Sequence, residues 1–281
     1  MSIVRRRPLI CFFILAFGLT LGVHCSHLVL PGAAPGILLS PLVPSELSTA
    51  PFYLYAILSN CGPLLAGVMI AGACYGQPGI SEWLSRWTRR RVGWKWYVIA
   101  LLCGPGLFLC QNLMTRPTEL LALPAHSTRP VLDYLVTLPL SLVLYSIMNA
   151  GEEGGWRGFA LPHLQGRYGP LWGSCILGVL WEAWHLQSIL WPGNLYYAQG
   201  VLAVSLHLIR GLLIWNLYAI LGTWIFNNTR GSLLPVTLWH ASLNVTSDME
   251  RKLFPTTGES LPGTHSVTGF SGRLSPSSSS G

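Results

Sequence analysis

Three short polar groups interrupt long apolar runs, and their side chains are of the types that activate water. The first is Glu152-Glu153-Gly154-Gly155-Trp156-Arg157. Glu153 and Arg157 are four apart, so on a helix they share a face and can pair. Glu152 is turned about 100° from Glu153 and needs a partner of its own. The second is Trp181-Glu182-Ala183-Trp184-His185. Here His185 stands four residues from Trp181 and three from Glu182, within helical reach of both. The third is His240-Ala241-Ser242-Leu243-Asn244, whose ends again stack on one face. Each also has a plain structural reading: the acidic pair marks a helix end at the water boundary, the histidine is a hydrogen-bonded packing residue, and the His–Asn pair is polar glue between helices. A fourth group, His207 with Arg210, reads as a structural or gating pair. Ionisable side chains inside membrane helices are costly and usually functional.

A carboxylate, two imidazoles and an amide in a dry cavity suit hydrolysis of an acyl bond, most naturally a peptide. Two mechanisms fit. In the first, Glu152, His185 and His240 hold Zn2+, the usual three protein ligands plus a water, and the metal acidifies that water and polarises the carbonyl. Glu153 or Glu182 must then act as base. In the second no metal is needed. Glu152 is the general base, His185 helps to position the water, and His240 and Asn244 donate hydrogen bonds to the oxyanion.

The elements that would carry these residues are membrane helices. Of 281 residues 51% are apolar and only 10% charged, against about 25% charged in soluble domains, and the mean hydropathy is +0.47. That excludes a disordered chain and argues against a soluble enzyme. The net charge of +7 is concentrated between apolar runs, as on the cytoplasmic flanks of membrane helices, so no nucleic-acid partner is expected. The seven cysteines lie at no metal-ligand spacing and read as packed thiols. With about 20 apolar residues needed per crossing, seven spans are expected: Leu9–Leu30, Phe52–Tyr75, Trp96–Met114, Val131 to about Trp156, Pro170–Leu190, Val201–Phe226 and Ser232–Ser247. The first is too long for a signal peptide and reads as a retained helix. Ile80–Trp94, where Trp83, Leu84, Trp87 and Val92 alternate with Arg86, Arg89, Arg90 and Arg91, predicts a basic amphipathic helix at the interface. The fold class is therefore all-α: a polytopic membrane protein of about seven spans plus one interfacial helix. Residues 1–247 form one membrane domain, and 248–281 form a Ser/Pro-rich disordered tail ending in SPSSSSG. Arg5–Arg7, Arg86–Lys95, Arg157, Arg167 and Arg230 fall on one side, which places the N-terminus in the cytoplasm.

Depth joins the polar groups. Spans four and five meet at Gly166–Gly169. Glu152 precedes this turn by 14 residues and His185 follows it by 16, about 21–24 Å on a helix. His240 lies nine residues past Gly231, roughly 14 Å from its own turn. The spacing permits Glu152, His185, His240 and Asn244 to converge in the cytoplasmic half of the membrane.

In this order, EExxxR at Glu152–Arg157, a histidine one helix later at Trp181…His185, and HxxxN at His240…Asn244 resemble the CPBP intramembrane proteases. These include the type II CAAX prenyl endopeptidases and the Abi, or bacteriocin-processing, proteins. The flanks GFALPHLQGRYGPLWGS and TRGSLLPVTLWHASLN look similar too, and the resemblance covers about residues 89–247. It implies an endopeptidase acting near the cytoplasmic membrane face on a protein or peptide, lipidated substrates included. Its catalytic residues would be Glu152, His185, His240 and Asn244, with Glu153 and Arg157 in support. It leaves metal and glutamate mechanisms both open. There are departures: Trp181 stands where the family has Phe, a conservative change of an apolar wall; Glu182 adds a buried carboxylate beside His185; and seven spans are found where many members have eight.

Two other functions compete. A bis-His haem protein would use His185 with His207 or His240, and leaves Glu152 and Asn244 without a role. A transporter or scaffold would use the cluster for binding alone, without the repeat symmetry many transporters show.

Overall fold

The computed structural model describes residues 3–26, 50–126, 128–190 and 200–254, and among them every regular element is helical. The elements are α1 (Ile3–Arg6), α2 (Pro8–Ser26), α3 (Ala50–Thr88), α4 (Trp94–Thr115), α5 (Pro117–His126), α6 (Thr128–Gly155), a π-helical turn (Trp156–Ala160), α7 (Leu161–Ile189), α8 (Val201–Asn228) and α9 (Leu233–Leu253). Five stretches are long and apolar enough to cross a membrane: Pro8–Cys25, Ile57–Thr88, Trp94–Thr115, Leu135–Ser188 and Val204–Asn228. The chain is thus a polytopic helical membrane protein.

The spans are composed differently from the sequence expectation. The fourth and fifth merge into the run Leu135–Ser188, but this run doubles back. The Trp181 indole reaches Glu152 at 2.7 Å, whereas a straight helix would hold residues 29 apart about 43 Å from each other. The reversal is at Gly169, whose φ of 77° is open to glycine and strained for other residues. This is the turn expected at Gly166–Gly169. The seventh expected span lies in α9, which is not among the apolar stretches. Its lower apolarity has a physical reason. It packs against α4, α6 and α8, so protein rather than lipid encloses Val236, Trp239, His240 and Val245. It also runs on to Leu253, past the expected domain end at 247, tied by Arg116–Glu250 at 3.1 Å and by Asp248 to Tyr145 and Arg251. Of the expected tail, residues 255–281 lie outside the described residues, as do 27–30 of the first span.

The interfacial helix needs correction. Helix α3 kinks at Gly76 (φ 65°) and ends at Thr88, so the expected helix Ile80–Trp94 stops at Thr88, and Trp94 opens α4. Nor is Trp83 a lipid anchor. It is buried and donates its indole N–H to the Gly154 carbonyl at 2.8 Å.

Close packing of α6 on α3 fixes the acidic pair. Gly151 and Gly155 form a small-xxx-small face of the kind that lets membrane helices touch. A Cβ on Gly151 would stand 2.4 Å from the Asn60 carbonyl oxygen, and one on Gly155 2.3 Å from the Pro63 carbonyl. Both obstacles are backbone, so the helices would have to part. Gly155→Ala is expected to destabilise the fold by about 1–3 kcal/mol, the usual cost of overpacking. Thermal unfolding in detergent would read this, and an unchanged midpoint would show that α3 and α6 can separate freely.

Candidate active site

Four segments deliver the site: the end of α6 (Asn149, Glu152, Glu153), the π turn (Arg157), the second half of α7 (Trp181, His185), and α9 (His240, Asn244). Trp215 of α8 closes one side. A π turn is a wide, rare helical register often found at functional sites. Here Trp83 hydrogen-bonds to its entry.

The two adjacent carboxylates have separate partners, as their 100° offset required. Glu153 is fully buried. Its Oε1 accepts from Arg157 Nη1 at 2.9 Å and stands 2.9 Å from His240 Nδ1. Arg157 is itself fully buried. Its guanidinium lies 4.2 Å over the Trp181 ring and 5.7 Å from that of Trp239, cation–π contacts that strengthen out of water. Gly222 leaves room for it, since a Cβ there would fall 2.8 Å from Arg157 Nη2. A carboxylate can only accept, so His240 carries a proton on Nδ1 and turns Nε2 away from Glu153.

Glu152, 4% exposed, accepts the Trp181 indole N–H on Oε2 at 2.7 Å. Trp181 was expected to serve only as an apolar wall in place of Phe. It is instead the polar partner Glu152 required, and Phe has no such donor. Trp181→Phe keeps a ring beneath Arg157 and deletes this one hydrogen bond. It is expected to slow turnover about tenfold, the rate equivalent of a charge-assisted hydrogen bond. Steady-state kinetics of the folded variant would test this, and an unchanged kcat would reduce Trp181 to packing.

His185 places Nδ1 2.8 Å from the Trp181 carbonyl, which likewise fixes Nδ1 as donor and leaves Nε2 as acceptor. Its ring stacks on Trp215 at 4.1 Å, and Glu152 and His240 are both close enough to act on it electrostatically. Asn244 Nδ2 donates to Asn149 Oδ1 at 3.1 Å. Asn149 is buried, and its own Nδ2 has no hydrogen-bond partner among the described residues.

Glu152, Glu153, Arg157, Trp181, His185, His240 and Asn244 therefore gather in one region, while Glu182 stands apart. It lies near Trp215 and against α8, where a Cβ on Gly211 would be 2.1 Å from its Oε1. Among the described residues no hydrogen bond joins it to His185, and the donor nearest its carboxylate is the Trp215 indole. The i, i+3 spacing allowed a contact with His185, and the carboxylate instead turns towards α8. Two contributors escaped sequence reading. Asn149 carried a usable signal: a polar residue one turn before Glu152 in an apolar span. Trp215 carried none, because tryptophan in an apolar helix is ordinary.

Glu152 Oε2 is taken by Trp181, and His240 Nδ1 by Glu153. These hydrogen bonds leave Glu152 Oε1 and the Nε2 atoms of His185 and His240 open. Among the described residues no three or more His, Cys, Asp or Glu side chains are grouped to hold a metal.

Comparison with known proteins agrees with the three motifs. Residues 134–246 match the family model described as type II CAAX prenyl endopeptidase Rce1-like, and every candidate residue falls inside this stretch. A protein of Methanococcus maripaludis named CAAX prenyl protease 2 is 28% identical over 109 residues, 38% of this chain and 40% of the relative. The chain thus spans about two-fifths of the length of the curated relative it matches.

Proposed function

We propose that this Rce1-like membrane segment is an endopeptidase in which Glu152 activates water against a peptide carbonyl. The observation that carries the reading is the division of labour between the adjacent carboxylates. Glu153 is fully buried and its Oε1 is held by both Arg157 and His240, with its Oε2 buried and unpartnered among the described residues. Glu152 has a single indole donor on Oε2, leaving Oε1 for a water.

Glu152 takes a proton from the water, and the hydroxide attacks the carbonyl carbon. His185 Nε2, aimed by the bond from Nδ1 to the Trp181 carbonyl, accepts from and orients the same water. The tetrahedral oxyanion receives N–H donors from Asn244 and from His240 protonated on Nε2. Collapse breaks the C–N bond, and Glu152 returns its proton to the leaving amine. Such preorganised donors in a water-poor site are the main source of rate in acyl transfer. The polarising work falls to protein groups.

The N-terminus is assigned to the cytoplasm. What supports this is the charge pattern: Arg5–Arg7 and Arg86–Lys95 flank apolar helices, as the positive-inside rule has it for a cytoplasmic face, and Arg89 bonds the Arg230 carbonyl. His240 lies seven residues into α9, roughly 10 Å from its Arg230 end, so cleavage takes place near the cytoplasmic face. The substrate class is a protein or peptide, and a prenylated C-terminal tail is the first to try, since the relative's name specifies one.

The test is cleavage of a peptide library, prenylated and plain, by the purified protein in lipid. Glu152→Gln and a chelator-treated sample run alongside. Loss of cleavage in Glu152→Gln with retention under chelator supports the reading. Loss under chelator, restored by zinc, would replace it with the metal mechanism.

A further inference from the structure

Away from the site, arginines gather around a cavity at the ends of the membrane helices. Its volume is about 430 Å³, and its walls are Thr88, Arg89, Arg90, Arg91, Val92 and Arg230. It lies where α3 gives way to α4 and where α8 turns into α9. Arg89 Nη1 donates to the Arg230 carbonyl at 2.8 Å, and Ser232 Oγ donates to the Arg89 carbonyl at 2.8 Å. The neighbouring acid, Glu82, is already engaged by Arg86 at 3.2 Å and by Arg89 at 2.8 Å. Among the described residues no acid forms an ion pair with Arg90, Arg91 or Arg230.

Two further observations say what the charge is for. Arg230 sits at φ 57°, the one described non-glycine residue with positive φ. This conformation favours glycine or asparagine, and a large cation held there against backbone preference marks a position where the side chain matters. The chain segments that flank the cavity also carry the aromatic residues of a membrane boundary. Trp94 is 71% exposed, and Trp96 packs on Trp224 at 4.9 Å. Tryptophan at the ends of spans sits at headgroup level, and the adjoining stretches Ile57–Thr88, Trp94–Thr115 and Val204–Asn228 end or begin here.

We propose that this cavity binds a phosphate oxyanion, supplied by the headgroup of an anionic phospholipid. Guanidinium groups meet phosphate oxygens with paired, charge-assisted hydrogen bonds, and basic pockets between membrane helices are built for such headgroups. The ligand would bridge the α3–α4 corner to the turn before α9, the helix that carries His240 and Asn244. The site is independent of the protease reading, because none of its residues takes part in that chemistry.

The experiment is thermal unfolding of the full chain in nanodiscs of phosphatidylcholine, with and without phosphatidylglycerol, and in phosphatidylcholine with inorganic pyrophosphate. Bound lipid is counted by native mass spectrometry. Phosphatidylglycerol is expected to raise the midpoint of the wild type and to be retained. Arg230→Gly and the double variant Arg90→Gln/Arg91→Gln are expected to bind it about tenfold more weakly or worse, given what one charged hydrogen bond is worth. Arg230→Gly relaxes the left-handed backbone, so its effect is not a folding defect. Arg167→Gln is the control for general surface charge. Arg167 is exposed near Gln165, which bonds Asn227 on the same end of the molecule, and its substitution is expected to leave binding unchanged. The proposal is overturned if phosphatidylglycerol and phosphatidylcholine act alike, or if Arg167→Gln weakens binding as much as the cavity variants. Stabilisation by pyrophosphate but not by phosphatidylglycerol would overturn the lipid source.

Discussion

Glu152→Gln is expected to lower kcat by about 10²–10⁴-fold, the contribution of a positioned general base, while the protein unfolds at the wild-type midpoint. The substitution is nearly isosteric. The amide oxygen still accepts the Trp181 indole N–H now made to Oε2 at 2.7 Å, so local packing persists. What disappears is the ability to take a proton from water, because an amide does not act as a base. Glu152 is 4% exposed and is not the carboxylate that neutralises Arg157 at hydrogen-bonding distance; that is Glu153. Loss of its charge therefore leaves no cation stranded. KM is expected to change little, since the reading gives Glu152 no contact with the ground-state substrate beyond the water. Glu119→Gln, an exposed carboxylate on α5, serves as the matched control and is expected to turn over normally. A Glu152→Gln enzyme with the wild-type rate would remove Glu152 from the chemistry.

Much of this arrangement was legible because helical geometry turns spacing into direction. The i, i+4 rule paired Glu153 with Arg157. The 100° offset sent Glu152 to another partner. The two-helix depth calculation put Glu152 level with the Trp181–His185 turn of α7. The rest depended on how helices meet, which spacing on one helix does not encode. Glu182 and His185 are three apart and could have touched, but close approach of α8 at Gly211 drew the carboxylate away. Trp181 was read by its hydrophobicity alone, and its N–H mattered only because an acid lay across the helix interface. Trp83 looked like an interfacial anchor, yet the kink at Gly76 aims it into the π turn. Helix α9 was recognised as a helix, but its polarity could be understood only once its neighbours were seen to shield it from lipid. Gly151 and Gly155 stand four apart in the sequence and were not singled out there; their role depends on which backbone of α3 they face.

Glu153 and Arg157 give the second large effect, in which stability and activity come apart. Each single substitution, Glu153→Gln or Arg157→Gln, leaves an uncompensated charge at a site where both side chains are fully buried. Breaking a buried pair from one side costs about 3–5 kcal/mol, enough to lower the unfolding midpoint sharply. The double variant Glu153→Gln/Arg157→Gln strands no charge and is expected to recover most of that loss, since two amides of similar size can bond each other. Activity is expected not to follow. Glu153 Oε1 also holds His240 Nδ1 at 2.9 Å, and only a carboxylate both fixes that tautomer and stabilises the imidazolium once Nε2 is protonated. Such partners of a working histidine are worth about 10–100-fold, so the refolded double variant should turn over slowly by that factor. Trp181 and Trp239 flank the guanidinium, and their packing is preserved by glutamine's shorter stem only in part, so the recovery in midpoint should be incomplete. If activity returned together with stability, Glu153 would be a folding residue alone, and the orientation of His240 would rest on the helix that carries it.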